Sequence, residues 1–224
     1  MGEWMWLPAI IIMGYLIGSL NGSILLSKVF FKDDIRKHGS GNAGATNVLR
    51  VHGKKWTFLV SAWDMGKGAL AVLLGRALSG HYAVMHTALT MGVGERYAGG
   101  IAAGIAVILG HVFPVWFGFR GGKGVITACM VMLMLDWKTA CIALAFFFAL
   151  VFWKRYISLG SIAAVITLPV TALLLRRDLP FLVMCIFVMV LIIFLHKANI
   201  KRLLSGTENK FGKKAPSNEH EGSS

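Results

Sequence analysis

The chain has 224 residues, 56% apolar and 15% charged, with a mean hydropathy of +0.68; a water-soluble domain carries roughly 45–50% apolar and about 25% charged residues. Its 23 Lys and Arg outnumber 10 Asp and Glu, a formal +13; a soluble nucleic-acid binder would share that excess but not the hydropathy, so no nucleic-acid partner is expected. The composition predicts one all-α polytopic membrane domain over 1–214 and a polar, disordered tail over 215–224.

The first apolar run, 7–31, reads as a permanent span, because Met1-Gly2-Glu3 lacks the basic segment of a cleavable signal. It carries Ser19, Asn21 and Ser23, which read most simply as helix-packing polar residues. The loop that follows holds Gly39-Ser40-Gly41-Asn42-Ala43-Gly44-Ala45-Thr46-Asn47, flanked by Arg36, Lys37, His38 and Arg50. Glycines let successive backbone N–H groups converge on one point, hydroxyls and amides add donors, and arginine grips phosphate bidentately. This run predicts an anion site. The second span, 56–78, contains Asp64 and Lys67, three apart and able to pair on one helix face. Ionisable groups inside spans avoid lipid, so the pair reads either as a functional group or as a tie into the bundle. Residues 79–98 are expected to form an external loop, partly helical.

A third span is read at 99–119, and the turn after it, Gly118-Phe-Arg-Gly-Gly-Lys-Gly124, leads into a helix near Val125. A helix N-terminus preceded by glycines and a lysine receives anions. It is not a nucleotide P-loop: the first glycine of that pattern would fall on Phe117, and Gly124 stands where Ser or Thr would hold Mg²⁺. Next come two short apolar runs, 124–135 and 139–153, separated by Asp136-Trp137-Lys138, then spans at 157–175 and 179–195. Where the last span ends, His196, Asn199 and Arg202 line one helical stripe. The three cysteines, Cys129, Cys141 and Cys185, sit in apolar runs without metal or redox spacing, and no metal or cofactor is expected.

Lys and Arg accumulate in cytoplasmic loops. If 124–153 is a hairpin, seven spans with the N-terminus outside and the C-terminus cytoplasmic place 16 basic residues inside and 5 outside; as one long helix, the tally is 10 against 10. The hairpin is therefore predicted, with Arg176 and Arg177 as an exception on the outer side. This topology brings the 32–55 loop, the 120–124 turn, the 154–158 turn and the chain after 195 to one face.

These motifs together resemble the bacterial acyl-phosphate-dependent glycerol-3-phosphate acyltransferase family. The resemblance rests on Gly39 to Arg50, on Gly110-His-Val-Phe-Pro114 with Phe119 to Val125 and Thr127, and on His196-Lys-Ala-Asn199-Ile-Lys-Arg202 with Gly206-Thr-Glu208. Asp34-Ile-Arg36, Asp64, Lys67-Gly68 and Ser158-Leu-Gly160 match as well. The resemblance implies a seven-helix enzyme of the bacterial inner membrane, active at its cytoplasmic face. It would transfer a fatty acyl group from acyl phosphate to the 1-hydroxyl of sn-glycerol 3-phosphate, giving lysophosphatidic acid and phosphate, the first step of phospholipid synthesis.

By matching positions, Ser40, Arg50, His196 and Asn199 would be catalytic. Gly39, Gly41, Asn42, Thr46 and Asn47 would help bind substrate, as would Gly121, Gly122, Lys123 and Gly124, with a hydroxyl from Ser158 or Ser161. Glu208, Asp64 and Lys67 would be structural. Partners would be the two substrates and membrane lipid. Leu20-Asn21-Gly22 departs from relatives, which often carry Ile-Pro-Phe there. Either His196 or a substrate phosphate oxygen could take the hydroxyl proton. An organic-phosphate transporter is the main alternative, but it would be expected to show internal repeats and a site near the bilayer midplane. None of the seven histidines has Asp five residues later, which disfavours an acyl-CoA-dependent His-x4-Asp transferase.

Overall fold

The computed structural model describes residues 6–86 and 93–212, with side chains described over 6–80 and 97–212. The expected tail at 215–224 lies outside the described residues. The described elements are all helical: α1 (Trp6–Ser19), α2 (Gly22–Phe31), α3 (Ala45–Val51), α4 (Lys54–His86), α5 (Val93–Val112), α6 (Val125–Leu135), α7 (Trp137–Lys154), α8 (Ile157–Leu174), α9 (Leu179–Leu195) and α10 (Lys197–Leu204). Four of these are long and apolar enough to cross a membrane singly. Two bent pairs, α1 with α2 and α9 with α10, pass as broken spans, and α6 is a shorter apolar helix.

Three expectations about boundaries are corrected. The first span is two helices bent by 40°. Its break is stabilised from both sides: the Asn21 side chain accepts from Ile24 N–H at 3.1 Å and so caps α2, while Lys67 Nζ donates to the carbonyls of Gly18 (3.1 Å) and Leu20 (3.3 Å) at the end of α1. Backbone groups freed in an apolar medium must find such partners. The third helix stops at Val112 rather than 119, because Pro114 follows and the chain turns. The second and third spans extend past their expected ends into the 79–98 segment, which was expected to be partly helical: α4 runs to His86 and α5 starts at Val93.

Two helices rather than one long one cover 124–153. Asp136 separates α6 from α7 and caps α7, accepting from Lys138 N–H at 3.1 Å. Asp136 also pairs with Arg177, whose Nη2 donates to Oδ1 at 3.0 Å. One of the two arginines that the charge tally left unexplained is therefore neutralised by a carboxylate of the neighbouring turn. Arg76 reaches the same end, donating to the Met134 carbonyl at 2.8 Å.

Around a shared core of Ile10, Val72, Val107, Ile108, Val131, Phe181 and Met184, the helices bury their small and aliphatic faces. Gly18 and Gly110 let α1 and α5 meet backbone to backbone; a Cβ on Gly110 would lie 2.8 Å from Ser19 N and 3.0 Å from the Gly18 carbonyl carbon. Large apolar side chains stay on the outside, among them Phe58, Phe152 and Leu174. In an integral membrane protein, lipid covers such a belt.

Candidate active site

Four separated segments meet at the end of the bundle opposite Asp136. The first is the glycine-rich loop before α3. Gly39 (φ +58°) and Gly41 (φ +70°) turn it through left-handed conformations. Asn47 organises it from within: its Oδ1 accepts from Ser40 N–H at 2.8 Å, and its Nδ2 donates to the carbonyls of Ile35 (3.1 Å) and His38 (3.0 Å). With its amide so used and the residue buried, Asn47 shapes the loop, and its contribution to binding would be through the loop's shape. Gly39, Ser40 and Gly41 remain exposed, Asn42 and Thr46 are half-buried, and Arg50 is exposed at the end of α3.

The second segment is the turn between α5 and α6. Arg36 ties it to the first, pairing with Asp34 at 2.7 Å and donating to the carbonyls of Phe117 (2.7 Å) and Arg120 (2.9 Å). Gly121 N–H donates to the Val112 carbonyl (3.0 Å) and Gly122 N–H to that of His111 (3.2 Å). Their amides are therefore engaged within the protein. What they provide is close approach: a Cβ on Gly122 would collide with His111 Nε2 and the Ala43 carbonyl. Gly124 (φ +77°) starts α6 without a side-chain cap, so the free N–H groups of its first turn, together with Lys123, keep an anion-receptive end.

The third and fourth segments are the start of α8 and the chain from His196. Lys123 Nζ donates to Asn199 Oδ1, Asn199 Nδ2 to Glu208 Oε1 (2.8 Å), Ser158 Oγ to the same oxygen (2.9 Å), and Arg202 Nε to Glu208 Oε2 (2.6 Å). One buried carboxylate thus gathers three donors from two segments and orients Asn199 toward Lys123. Burial alone would raise the Glu208 pKa, but the hydrogen bonds from Asn199, Arg202 and Ser158 outweigh it and hold the group below its ordinary value. The Ser161 hydroxyl bonds to the Ile157 carbonyl of its own helix at 2.9 Å and is buried. Of the two serines, only Ser158 joins the network.

The electrostatics follow from this crowding. Burial pushes the Lys123 ammonium down to about 8; Glu208 opposes the fall, and Arg202 and Arg50 add to it. Burial lowers Arg50 as well, with Glu208 opposing and Arg202 reinforcing. His196 sits at the bend between α9 and α10. Burial, reinforced by the Lys123 charge, pushes its imidazole down to about 4 against the pull of the Ile192 carbonyl and Glu208. Its Nδ1 lies 2.8 Å from that carbonyl, which only accepts, so Nδ1 carries the proton and Nε2 is left as an acceptor.

Behind the two loops lies a buried polar group inside the bundle. Asp64 and Lys67 pair at 2.8 Å, as their spacing predicts, and Lys67 also donates to His111 Nδ1 at 2.9 Å. Asp64 Oδ1 stands 3.4 Å from Gly22 N, and Thr127 Oγ1 stands 3.4 Å from His111 Nδ1. His111 was not singled out from the sequence as a site residue, because nothing in its spacing links it to Lys67 or Gly122. Arg202 carried a signal, its place on the stripe of Asn199. Among the described residues no group of three His, Cys, Asp or Glu could hold a metal ion.

Comparisons with known proteins bear on this site. Residues 8–206 match the family model described as glycerol-3-phosphate acyltransferase. A protein of that name from Thermoanaerobacter pseudethanolicus is 41% identical over 203 residues, covering 91% of this chain and 94% of the relative. One from Neisseria meningitidis serogroup C is 38% identical over 208 residues, covering 93% and 98%. Among solved structures, PlsY (YgiH), an integral membrane glycerol 3-phosphate acyltransferase, superposes in its glycerol 3-phosphate form with a TM-score of 0.78 at 36% identity, over 92% of this chain and 96% of that one. Its lysophosphatidic acid form gives 0.75 at 35% identity, over 92% and 95%.

Proposed function

The chain belongs to the glycerol-3-phosphate acyltransferase family of integral membrane enzymes, and from that premise we propose that its acyl donor is acyl phosphate and its product lysophosphatidic acid. The observation that carries the reading is the convergence of Lys123, Asn199 and Glu208 from distant parts of the chain, with Arg50 close enough to act on the Lys123 charge. Two anionic substrates repel each other. A cup that supplies Arg50, Lys123, a helix N-terminus and the Ser40 loop offsets that repulsion and aligns the glycerol hydroxyl with the acyl carbonyl.

In the proposed step the C1 hydroxyl oxygen attacks the acyl carbonyl carbon, and the bond from that carbon to the phosphate oxygen breaks. Inorganic phosphate leaves and the hydroxyl proton is passed on. An imidazole at about 4 is a weak base, whereas a phosphate monoester has a second pKa near about 6. This difference favours a substrate phosphate oxygen as the proton acceptor, with His196 orienting substrate. Seven spans, an outer N-terminus and a site at the cytoplasmic face of the bacterial inner membrane belong to the same proposal. The charge tally supports them, as does the meeting of the 32–55, 113–124, 154–158 and 196–212 segments at one end.

Purified protein given palmitoyl phosphate should release phosphate only when glycerol 3-phosphate is added, with lysophosphatidic acid formed in equal amount. Uptake of glycerol 3-phosphate into vesicles without phosphate release would overturn the reading in favour of transport. The pH profile carries a second expectation. Lys123 binds anions only while protonated, so kcat/KM for glycerol 3-phosphate should fall as pH rises through about 8. The bound dianion favours the ammonium, so the limb in kcat should lie at higher pH. In Lys123→Arg, whose guanidinium stays charged, the limb at 8 should vanish from whatever activity remains.

A further inference from the structure

Asn21 is fully buried at the break between α1 and α2, and three of the four hydrogen-bonding capacities of its amide are directed to different segments. Oδ1 caps α2 through Ile24 N–H. The two protons of Nδ2 face two carbonyls: Ala43 of the first loop at 3.3 Å, and His111 at 3.4 Å. The His111 carbonyl is the same one that accepts from Gly122 N–H of the second loop at 3.2 Å. Ala43 and Gly122 themselves touch, since a Cβ on Gly122 would strike the Ala43 carbonyl. One buried side chain therefore links the loop that holds Ser40 to the carbonyl that anchors Gly122 in the loop that holds Lys123.

We propose that Asn21 is a positioning residue that clasps the two anion-receiving loops in register, so that a phosphate monoester dianion meets donors from both at once. This inference rests on the reading of the site given above. The donors are neutral, long and shielded from water, so their removal loosens the spacing of the loops without changing the charge of the cup. The lost term is shared by the bound substrate and the transition state. It should appear in KM rather than in kcat.

Asn21→Ser keeps a hydroxyl able to cap α2 but cannot span both carbonyls. Asn21→Leu keeps the bulk and the neutrality of the side chain but offers neither the cap nor a donor. The experiment compares both variants with the wild type by calorimetric binding of glycerol 3-phosphate, by KM and kcat with palmitoyl phosphate, and by thermal unfolding in detergent. Expected are a rise of about tenfold in Kd and KM for glycerol 3-phosphate in both variants, with kcat changed less than about threefold. Unchanged Kd in both variants overturns the clasp, whatever their melting temperatures. A fall in kcat alone, or in melting temperature alone, overturns it too, since either makes Asn21 a structural cap only. A wild type that binds glycerol 3-phosphate but releases no phosphate sinks the proposed donor chemistry, while the Kd comparison still decides the clasp. If one variant does not fold, the other decides by the same criterion.

Discussion

Lys123→Met should lower kcat/KM for acyl transfer by about 10³-fold while leaving the protein folded. The magnitude follows from what the side chain does. It is a cation removed from bulk water, and it connects the second loop to Asn199 and, through Asn199, to the Glu208 hub. Groups of this kind, fixed before reaction where charge must be held, typically contribute about 10²–10³ in rate, and here the same charge also binds a dianionic substrate. Methionine keeps much of the length and apolar stem, so the packing of the turn against His111 and Ala43 should survive. Lys123→Arg should retain more activity than Met because the charge persists, and less than wild type because the guanidinium is larger and planar. Initial rates of phosphate release against glycerol 3-phosphate concentration measure both variants. A loss below about tenfold in Lys123→Met would remove this residue from the centre of the site.

Lys67→Met should cost about 3–5 kcal/mol of stability, because it leaves the Asp64 carboxylate buried without its cation. For a chain of this size each kcal/mol moves the midpoint by about 2–4 °C, so thermal unfolding in detergent should report a fall of roughly 6–20 °C. The double variant Asp64→Asn with Lys67→Met should recover part of that loss, since no unpaired charge remains. Recovery should be incomplete. Lys67 also bonds the Gly18 and Leu20 carbonyls, and no methionine can replace those donations where α1 ends. A single variant as stable as wild type would show that Asp64 finds another partner.

The composition and charge asymmetry made the membrane class legible, and the break at Asp136 stood out because a carboxylate interrupts an apolar run. The break at Asn21 did not, because apolar residues flank it and its stabilising partner, Lys67, lies 46 positions along the chain. The early end of α5 was marked by Pro114, yet the apolar run past it concealed the stop. The same limit governs the site. Glycine runs announced two loops at one surface, and the spacing of His196, Asn199 and Arg202 announced a stripe. Spacing cannot show how an amide is used. Gly121, Gly122 and Asn47 turned out to have theirs bound to carbonyls of the protein, and the Ser161 hydroxyl likewise. Nor could one-dimensional order show that Glu208 would collect Ser158, Asn199 and Arg202.

The elbow at His196 makes the site answer to a mechanical boundary. Asn199 and Arg202 ride on an eight-residue helix set 60° away from α9, with Leu204 exposed on the apolar side and Lys197 and Lys201 exposed on the polar one. Asn199 therefore meets Lys123 only while the 60° bend is held, so the placement of one site residue depends on the angle between two helices and not on its own helix alone.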